Sequence, residues 1–212
     1  MIWLAWLAAA GVIAILDWWA VGTDRRNIER WAKPGVMVFL IVAAVLIPAE
    51  SDWIRWWIVI GLTFGLAGDV LLFQDRFIPG AAAFLVGHLA YILALVPIEH
   101  PLPAVVFGLV IVGAFAISLG RCIVRGAWRQ SPVLGGIVVA YMITIGAVVV
   151  LAVGSWSTVV GIAALLFMAS DTLLAWGRFV GSAPGGRVAV MVTYQIAQAG
   201  FVLAIPTLMP VA

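Results

Sequence analysis

Apolar residues in this chain come in runs of about twenty, each long enough to cross ~30 Å of hydrocarbon as a helix. The runs predict eight spans, at about 1–21, 34–49, 56–73, 80–97, 103–120, 132–153, 157–176 and 188–208. Breakers punctuate them: Lys33-Pro34-Gly35, Pro79-Gly80, Pro97 to Pro103, Ser131-Pro132 and Pro184-Gly185-Gly186. The polar intervals are too short for an extramembrane domain or linker, so residues 1–212 read as a single transmembrane domain.

The polar positions inside these runs repeat. Asp69-Val70-Leu71-Leu72 leads to Arg76-Phe77, and Asp171-Thr172-Leu173-Leu174 leads to Arg178-Phe179, at the ends of spans three and seven. An offset of four spans preserves direction. The expected fold is therefore an all-α membrane protein of eight transmembrane helices in two parallel four-helix repeats, about 1–100 and 101–212, with a pseudo-twofold along the membrane normal.

Composition agrees. The chain is 66% hydrophobic and 9% charged, with a mean hydropathy of +1.22, far from a soluble domain. A single cysteine, Cys122, excludes an internal disulfide and reads as a small filler near a helix end. The first run lacks a basic leader and is followed by Asp24-Arg25-Arg26, which favours a retained helix over a cleaved signal peptide.

Charge and tryptophan give the expected orientation. Trp3, Trp6, Trp53, Trp56, Trp57 and Trp156 mark one interface, and Trp18, Trp19, Trp31, Trp128 and Trp176 the other. Arg25, Arg26, Arg30, Lys33, Arg76, Arg121, Arg125, Arg129, Arg178 and Arg187 fall on one side, and Arg55 alone on the other. The positive-inside rule then places both termini outside the cytoplasm of a multi-pass cell-membrane protein.

The candidate chemistry lies in one layer under the basic face. With ~1.5 Å of rise per residue, Asp69 sits ~10 Å below Arg76, Asp171 stands likewise to Arg178, and His88 lies ~12 Å into span four. Tyr194, Gln195 and Gln198 follow Arg187 at similar depth, as do Asp17 and Tyr141 in their spans. Gly80, Phe84, Gly87, His88 and Tyr91 form one helical stripe; Phe167, Ser170, Asp171 and Leu174 a second; Met191, Tyr194, Gln195, Gln198 and Val202 a third. Gly61, Gly65 and Gly68 permit close helix approach beside Asp69. Polar stripes must face the bundle interior, because lipid cannot satisfy them. Spans one, three, four, seven and eight are thus expected to enclose a polar cavity open toward the cytoplasmic side.

The competing reading is that these groups only tie helices together. It is favoured for Tyr141, evenly balanced for Asp17 beside Trp18 and Trp19, and weaker for His88, Asp69 and Asp171, given the cost of a carboxylate in hydrocarbon. Arg76 and Arg178 read as topology determinants first. A zinc hydrolase is disfavoured, since the only other histidine, His100, belongs to the opposite loop. No metal or cofactor is expected. Ser170 adjoins Asp171, but neighbouring helical residues point apart, so a serine nucleophile is a weak reading. No P-loop, G-x-S-x-G or dinucleotide motif occurs in a suitable context, and no basic soluble domain suggests nucleic acid. Two carboxylates with a histidine suit general acid–base chemistry, one acting as acid and the other as base.

The stretch Gly61 to Leu72 around Gly68-Asp69, followed by Phe77, Gly80, Phe84, His88 and Tyr91, resembles the YhhN-type lysoplasmalogenase family. So do Phe167 to Leu174 around Ser170-Asp171, Phe179, Lys33-Pro34 opening span two, and Tyr194-Gln195 with Gln198. The similarity runs through nearly the whole chain in order; Gly35 departs from the leucine often found after Lys-Pro. The resemblance implies an ether hydrolase that cleaves the vinyl ether bond of a lysophospholipid in the bilayer, giving a fatty aldehyde and a glycerophospho-base with ethanolamine or choline. It implies Asp69, Asp171 and His88 as the catalytic set and Tyr91, Ser170, Tyr194, Gln195 and Gln198 as substrate-positioning residues. Lys33, helped by Arg76 or Arg178, would hold the phosphate. The rival readings are a small proton-coupled transporter, a non-catalytic lysolipid-binding membrane protein, and a hydrolase of another lysolipid. Oligomeric state is not specified by the sequence.

Reporter tags fused at each end are expected to be protected from cytoplasmic labelling reagents and reached from the opposite side. A cytoplasmic signal from both tags overturns the orientation.

Overall fold

A computed structural model describes residues 1–211. The chain is all-helical: α1 (Ile2–Gly22), α2 (Arg26–Leu46), α3 (Asp52–Phe73), α4 (Phe77–Leu95), α5 (Leu102–Phe115), α6 (Arg121–Gln130), α7 (Pro132–Gly154), α8 (Thr158–Phe179) and α9 (Gly186–Ala204). A π-helical turn, Ala116–Gly120, joins α5 to α6 in one rod, and a 3₁₀ turn, Ile205–Thr207, follows α9. Among the described residues there is no β-strand, only an isolated bridge between Ile98 and Pro210.

Among the described residues, seven helical rods are long and apolar enough to cross a membrane: α1, α3, α4, α5–α6, α7, α8 and α9 with its 3₁₀ turn. The chain is a multi-pass membrane protein. The one remaining expected span, the second, corresponds to α2, which differs because Arg26, Glu29, Arg30 and Lys33 occupy its first turns. Lys33-Pro34-Gly35, expected as a turn, lies inside this helix. The stretch before Pro34 stays helical because buried Glu29 is tied to Arg187 and Lys33. Likewise Pro79 falls in the first turn of α4, where its missing N–H breaks no helical bond. The fifth span runs on to Gln130, past its expected end at 120. The extension is amphipathic, with Ile123 and Ala127 buried, and it stops where Ser131-Pro132 disfavours helix.

Tight turns keep neighbours antiparallel. Asp24 and Asp75 adopt left-handed backbone, φ 54° and 60°, just after α1 and α3. Aspartate tolerates this region, and the next amides, of Arg25 and Arg76, donate to Ala20 and Leu71 carbonyls at 2.8 and 2.9 Å. The main pairs are α1 with α2, α3 with α4, α5 with α7, and α8 with α9; α2 packs on α3, α7 on α8, α4 on α7, and α1 on α9.

The pattern of burial is inverted relative to a soluble protein. Asp17, Glu29, Asp69, His88, Gln195 and Gln198 are buried, whereas Leu109, Val110, Ile117 and Ile143 are exposed. Lipid accepts the aliphatic surface, and polar groups collect where other helices can pair with them. Close approach is set by glycine. A Cβ at Gly126 on α6 would overlap the Phe179 carbonyl oxygen and lie 3.0 Å from its carbon, whereas one at Gly136 would meet nothing within 4 Å.

Gly126→Ala is therefore expected to lower the thermal unfolding midpoint in detergent by the equivalent of ~1–3 kcal/mol of overpacking. Gly136→Ala should leave the midpoint unchanged or raise it. Equal midpoints for the two variants contradict the α6–α8 packing.

Candidate functional site

Three glycines on one face of α3 set the spacing of the polar centre. A Cβ at Gly68 would lie 2.6 Å from the Phe84 ring, one at Gly65 would lie 2.9 Å from both the Tyr194 hydroxyl and Gln198 Nε2, and one at Gly61 would overlap the Tyr91 ring. Without those side chains, α4 and α9 pack directly on α3. Asp69, the residue after Gly68, is thereby held inside the bundle at 3% exposure.

Asp171 on α8 is the hub of a second group. The Tyr141 hydroxyl donates to its Oδ2 at 3.1 Å, and His88 Nε2 lies 3.3 Å from the same oxygen, at ion-pair distance without hydrogen-bond alignment. His88 is fully buried between the rings of Tyr141 and Phe167, with centroids 5.0 and 4.7 Å away. Both neighbours converge on Oδ2, which leaves Oδ1 as the carboxyl oxygen they do not engage. The Asp171 side chain, 11% exposed, is the part of this trio that borders the polar cavity.

A third group sits on α9. Tyr91 stacks on Phe201 and donates to Gln198 Oε1 at 2.6 Å. Gln198 Nε2, the Tyr194 hydroxyl and Asp69 Oδ2 are buried with no aligned hydrogen-bond partner. The Tyr194 hydroxyl lies beside Asp69 but out of alignment, and Lys33 and Asp17 are the charged side chains that bear on Asp69. Gln195 points elsewhere: its Nε2 donates to Asp17 Oδ2 at 2.7 Å, both residues being buried. Ser170 donates to the Val190 carbonyl at 3.1 Å, tying α8 to α9.

Two cavities meet here. A polar cavity of about 200 Å³ between α2, α3, α8 and α9 is lined by Asp69, Asp171, Ser170, Tyr194 and Lys33, with Arg26, Glu29, Asp75 and Arg187 toward the basic face. An apolar cavity between α4, α5, α7 and α8 runs past Phe77, Phe115, Met142, Ile145 and Met168. Leu72, Phe84, Asp171 and Leu174 line both.

Of the residues expected from sequence, Asp69, Asp171, Lys33, Ser170 and Tyr194 come together around the polar cavity. His88, Tyr91 and Gln198 stand behind them, and Gln195 belongs to the Asp17 pair. Arg76 and Arg178 do not line the cavity. Arg76 opens α4, and the Arg178 guanidinium sits 5.4 Å over the Phe77 ring. Tyr141 reads from sequence as a group that ties helices together, and it does so by bonding Asp171. Two further participants lie outside the expected site residues. Glu29, buried, and Arg187, half exposed, form an ion pair at the mouth, Nη2 to Oε1 2.6 Å, with Lys33 Nζ 3.5 Å from Oε1. Glu29 four residues before Lys33 was a readable helical-pair signal, whereas nothing in the sequence links it to Arg187, 158 residues away.

The YhhN family model matches residues 29–205, most of the chain and every residue of the polar cavity except Arg26. The chain belongs to the YhhN family. It is similar to lysoplasmalogenase TMEM86B of Sus scrofa, 32% identical over 134 residues, which are 62% of this chain and 55% of the relative. The chain thus spans about half the length of that curated relative. No solved structure matches the chain. Within this YhhN protein, the matched region takes in α3, α4, α7 and α8, which supply the Asp69, His88, Tyr141 and Asp171 side chains.

Gln195→Leu strips Asp17 of its buried donor and is expected to cost ~1–3 kcal/mol of stability, read as a lower thermal midpoint in detergent. Adding Asp17→Leu should recover part of the loss. A further drop in the double variant, equal to that of Asp17→Leu alone, shows that the pair is uncoupled.

Proposed function

We propose that this YhhN protein is a membrane-embedded lysoplasmalogenase, an ether hydrolase that adds water across the vinyl ether of a lysoplasmalogen. The observation that carries the reading is the junction of the two cavities at Asp171, with Asp69 across the polar one. A single-chain ether lipid has the same layout. Its alkyl chain suits the apolar cavity, its glycerophospho-base suits the polar cavity, and the reacting bond lies between them. The TMEM86B relative, named as a lysoplasmalogenase, supports the same class.

The chemistry follows from the substrate. Protonation of the alkene carbon attached to the alkyl chain gives an oxocarbenium ion at the carbon attached to oxygen. Water adds there and loses a proton. The hemiacetal then collapses, cleaving the carbon–oxygen bond of the former ether to release a fatty aldehyde and a glycerophospho-base with ethanolamine or choline. The carbon that takes the proton lies on the alkyl side, so Asp171 at the junction is the acid, delivering from Oδ1 while Tyr141 and His88 hold Oδ2. Asp69, in the polar cavity near Lys33, stabilises the cation and takes the proton of the attacking water. His88 acts through Asp171 and is a positioning residue. Tyr194, Ser170, Tyr91 and Gln198 shape the polar wall.

The same reading takes the chain as two parallel repeats, residues 1–100 and 101–212, each contributing one aspartate from its third helix. The pairing of α1 with α2 and α3 with α4, matched by α5 with α7 and α8 with α9, supports it. The cavity then opens to the cytoplasm and both termini lie on the other side, in line with the basic loops.

The detergent-purified protein is expected to release fatty aldehyde from lysoplasmenylethanolamine. Asp69→Asn and Asp171→Asn should each lower turnover at least ~100-fold, the lower end of general acid–base contributions. Near-full turnover in either folded variant rejects the paired-acid mechanism, and no aldehyde from folded wild type rejects the substrate.

A further inference from the structure

The mouth of the polar cavity holds an ion cluster that the acid–base steps leave unused. Glu29 is 1% exposed, yet two cations hold its carboxylate: Arg187 Nη2 engages both oxygens, and Lys33 Nζ lies 3.5 Å from Oε1. Arg187 Nη1 also reaches Asp24 Oδ1 at 3.4 Å. The anion is covered while its partner is not, for the Arg187 side chain is half exposed. Glu29, Lys33 and Arg187 line the same cavity as Asp69 and Asp171. Arg187 is set at this rim by Gly185 and Gly186, both with positive φ (70° and 57°), a backbone that suits glycine and starts α9 beside the α1–α2 turn.

A guanidinium and an ammonium arranged about one carboxylate offer what a phosphate requires, since phosphate presents the same paired oxygens to the guanidinium fork. We propose that Arg187 and Lys33 are the seat of the substrate's phosphate, and that Glu29 is its internal stand-in, holding Arg187 in place until the phosphate takes over that bond. Glu29 keeps Lys33 as its partner one helical turn away, so the exchange leaves no buried carboxylate unpaired. This assignment rests on reading the cavity as a lysophospholipid site. It moves the phosphate contact from Arg76 and Arg178 to a residue of α9, and it ties headgroup recognition to the α2–α9 contact.

Binding is measured on the full chain in maltoside micelles with an ester-linked lysophosphatidylethanolamine, which carries no vinyl ether, so turnover plays no part. Monoacylglycerol of the same chain length controls for the alkyl site, and inorganic phosphate controls for a free-anion site. Arg187→Met is expected to weaken lysophosphatidylethanolamine about tenfold or more, the scale of a lost charge-assisted hydrogen bond. It should change monoacylglycerol binding less than twofold. Arg187→Lys should recover part of the loss, and Glu29→Gln, with its competing charge removed, should bind the phospholipid several-fold tighter. Should Glu29→Gln fail to fold, the two Arg187 variants decide. The proposal is overturned if Arg187→Met binds the phospholipid like wild type, if it weakens both lipids equally, or if inorganic phosphate binds as tightly as the lysolipid. Absence of aldehyde release with this binding pattern intact would reject the hydrolase reading and leave the phosphate seat standing.

Discussion

Carboxylates buried in hydrocarbon-spanning helices are the constraint on which this structure turns. Lipid offers Asp17, Asp69 and Asp171 neither water nor donors, so each must find partners on another helix. Asp17 takes the Gln195 amide, Asp171 takes the Tyr141 hydroxyl with His88 beside it, and Asp69 lies among Tyr194, Lys33 and Asp17. The direct contacts run from α1 to α9 and from α8 to α7 and α4, whereas Asp69 Oδ2 on α3 has no aligned hydrogen bond. Polar contacts therefore specify which helices meet, while aliphatic surface faces outward with little orientational demand of its own.

Close packing makes those pairings possible. Gly61, Gly65 and Gly68 bring α4 and α9 onto α3, so that Tyr91, Phe84, Tyr194 and Gln198 reach its backbone. An aromatic cluster of Tyr91, Phe167, Tyr194 and Phe201 fills the space behind the carboxylates. A wall of packed rings of this kind holds the side chains around the polar cavity in fixed positions. The ionic mouth has a different character. Its Glu29–Arg187 bond joins a buried anion to a half-exposed cation.

The hydrophobic runs and the duplicated Asp-x-Leu-Leu segments made the membrane class and most of the helix order legible, and singled out the two aspartates that line one polar cavity, because these are local properties of composition and period. Helix ends were less legible. Pro34 and Pro79 read as breakers, yet they sit within helices, the first sustained by an ion pair to a residue more than 150 positions away and the second tolerated by its place in the first turn. Tyr141 shows the same limit. It reads as a tie between helices, but its aliphatic sequence neighbours do not say that the partner is Asp171 on the next helix.

The sequence by itself thus determined that the chain enters a membrane and which carboxylates its apolar helices carry. Only the tertiary structure decided that Asp171 stands where an apolar and a polar cavity meet, that His88 sits beside Asp171, and that Arg187, not Arg76 or Arg178, lines the polar cavity. The reason is physical. Period, hydropathy and glycine spacing mark a helix's inward face and where a neighbour can approach, but which side chain fills the gap depends on residues of other helices, far away in sequence.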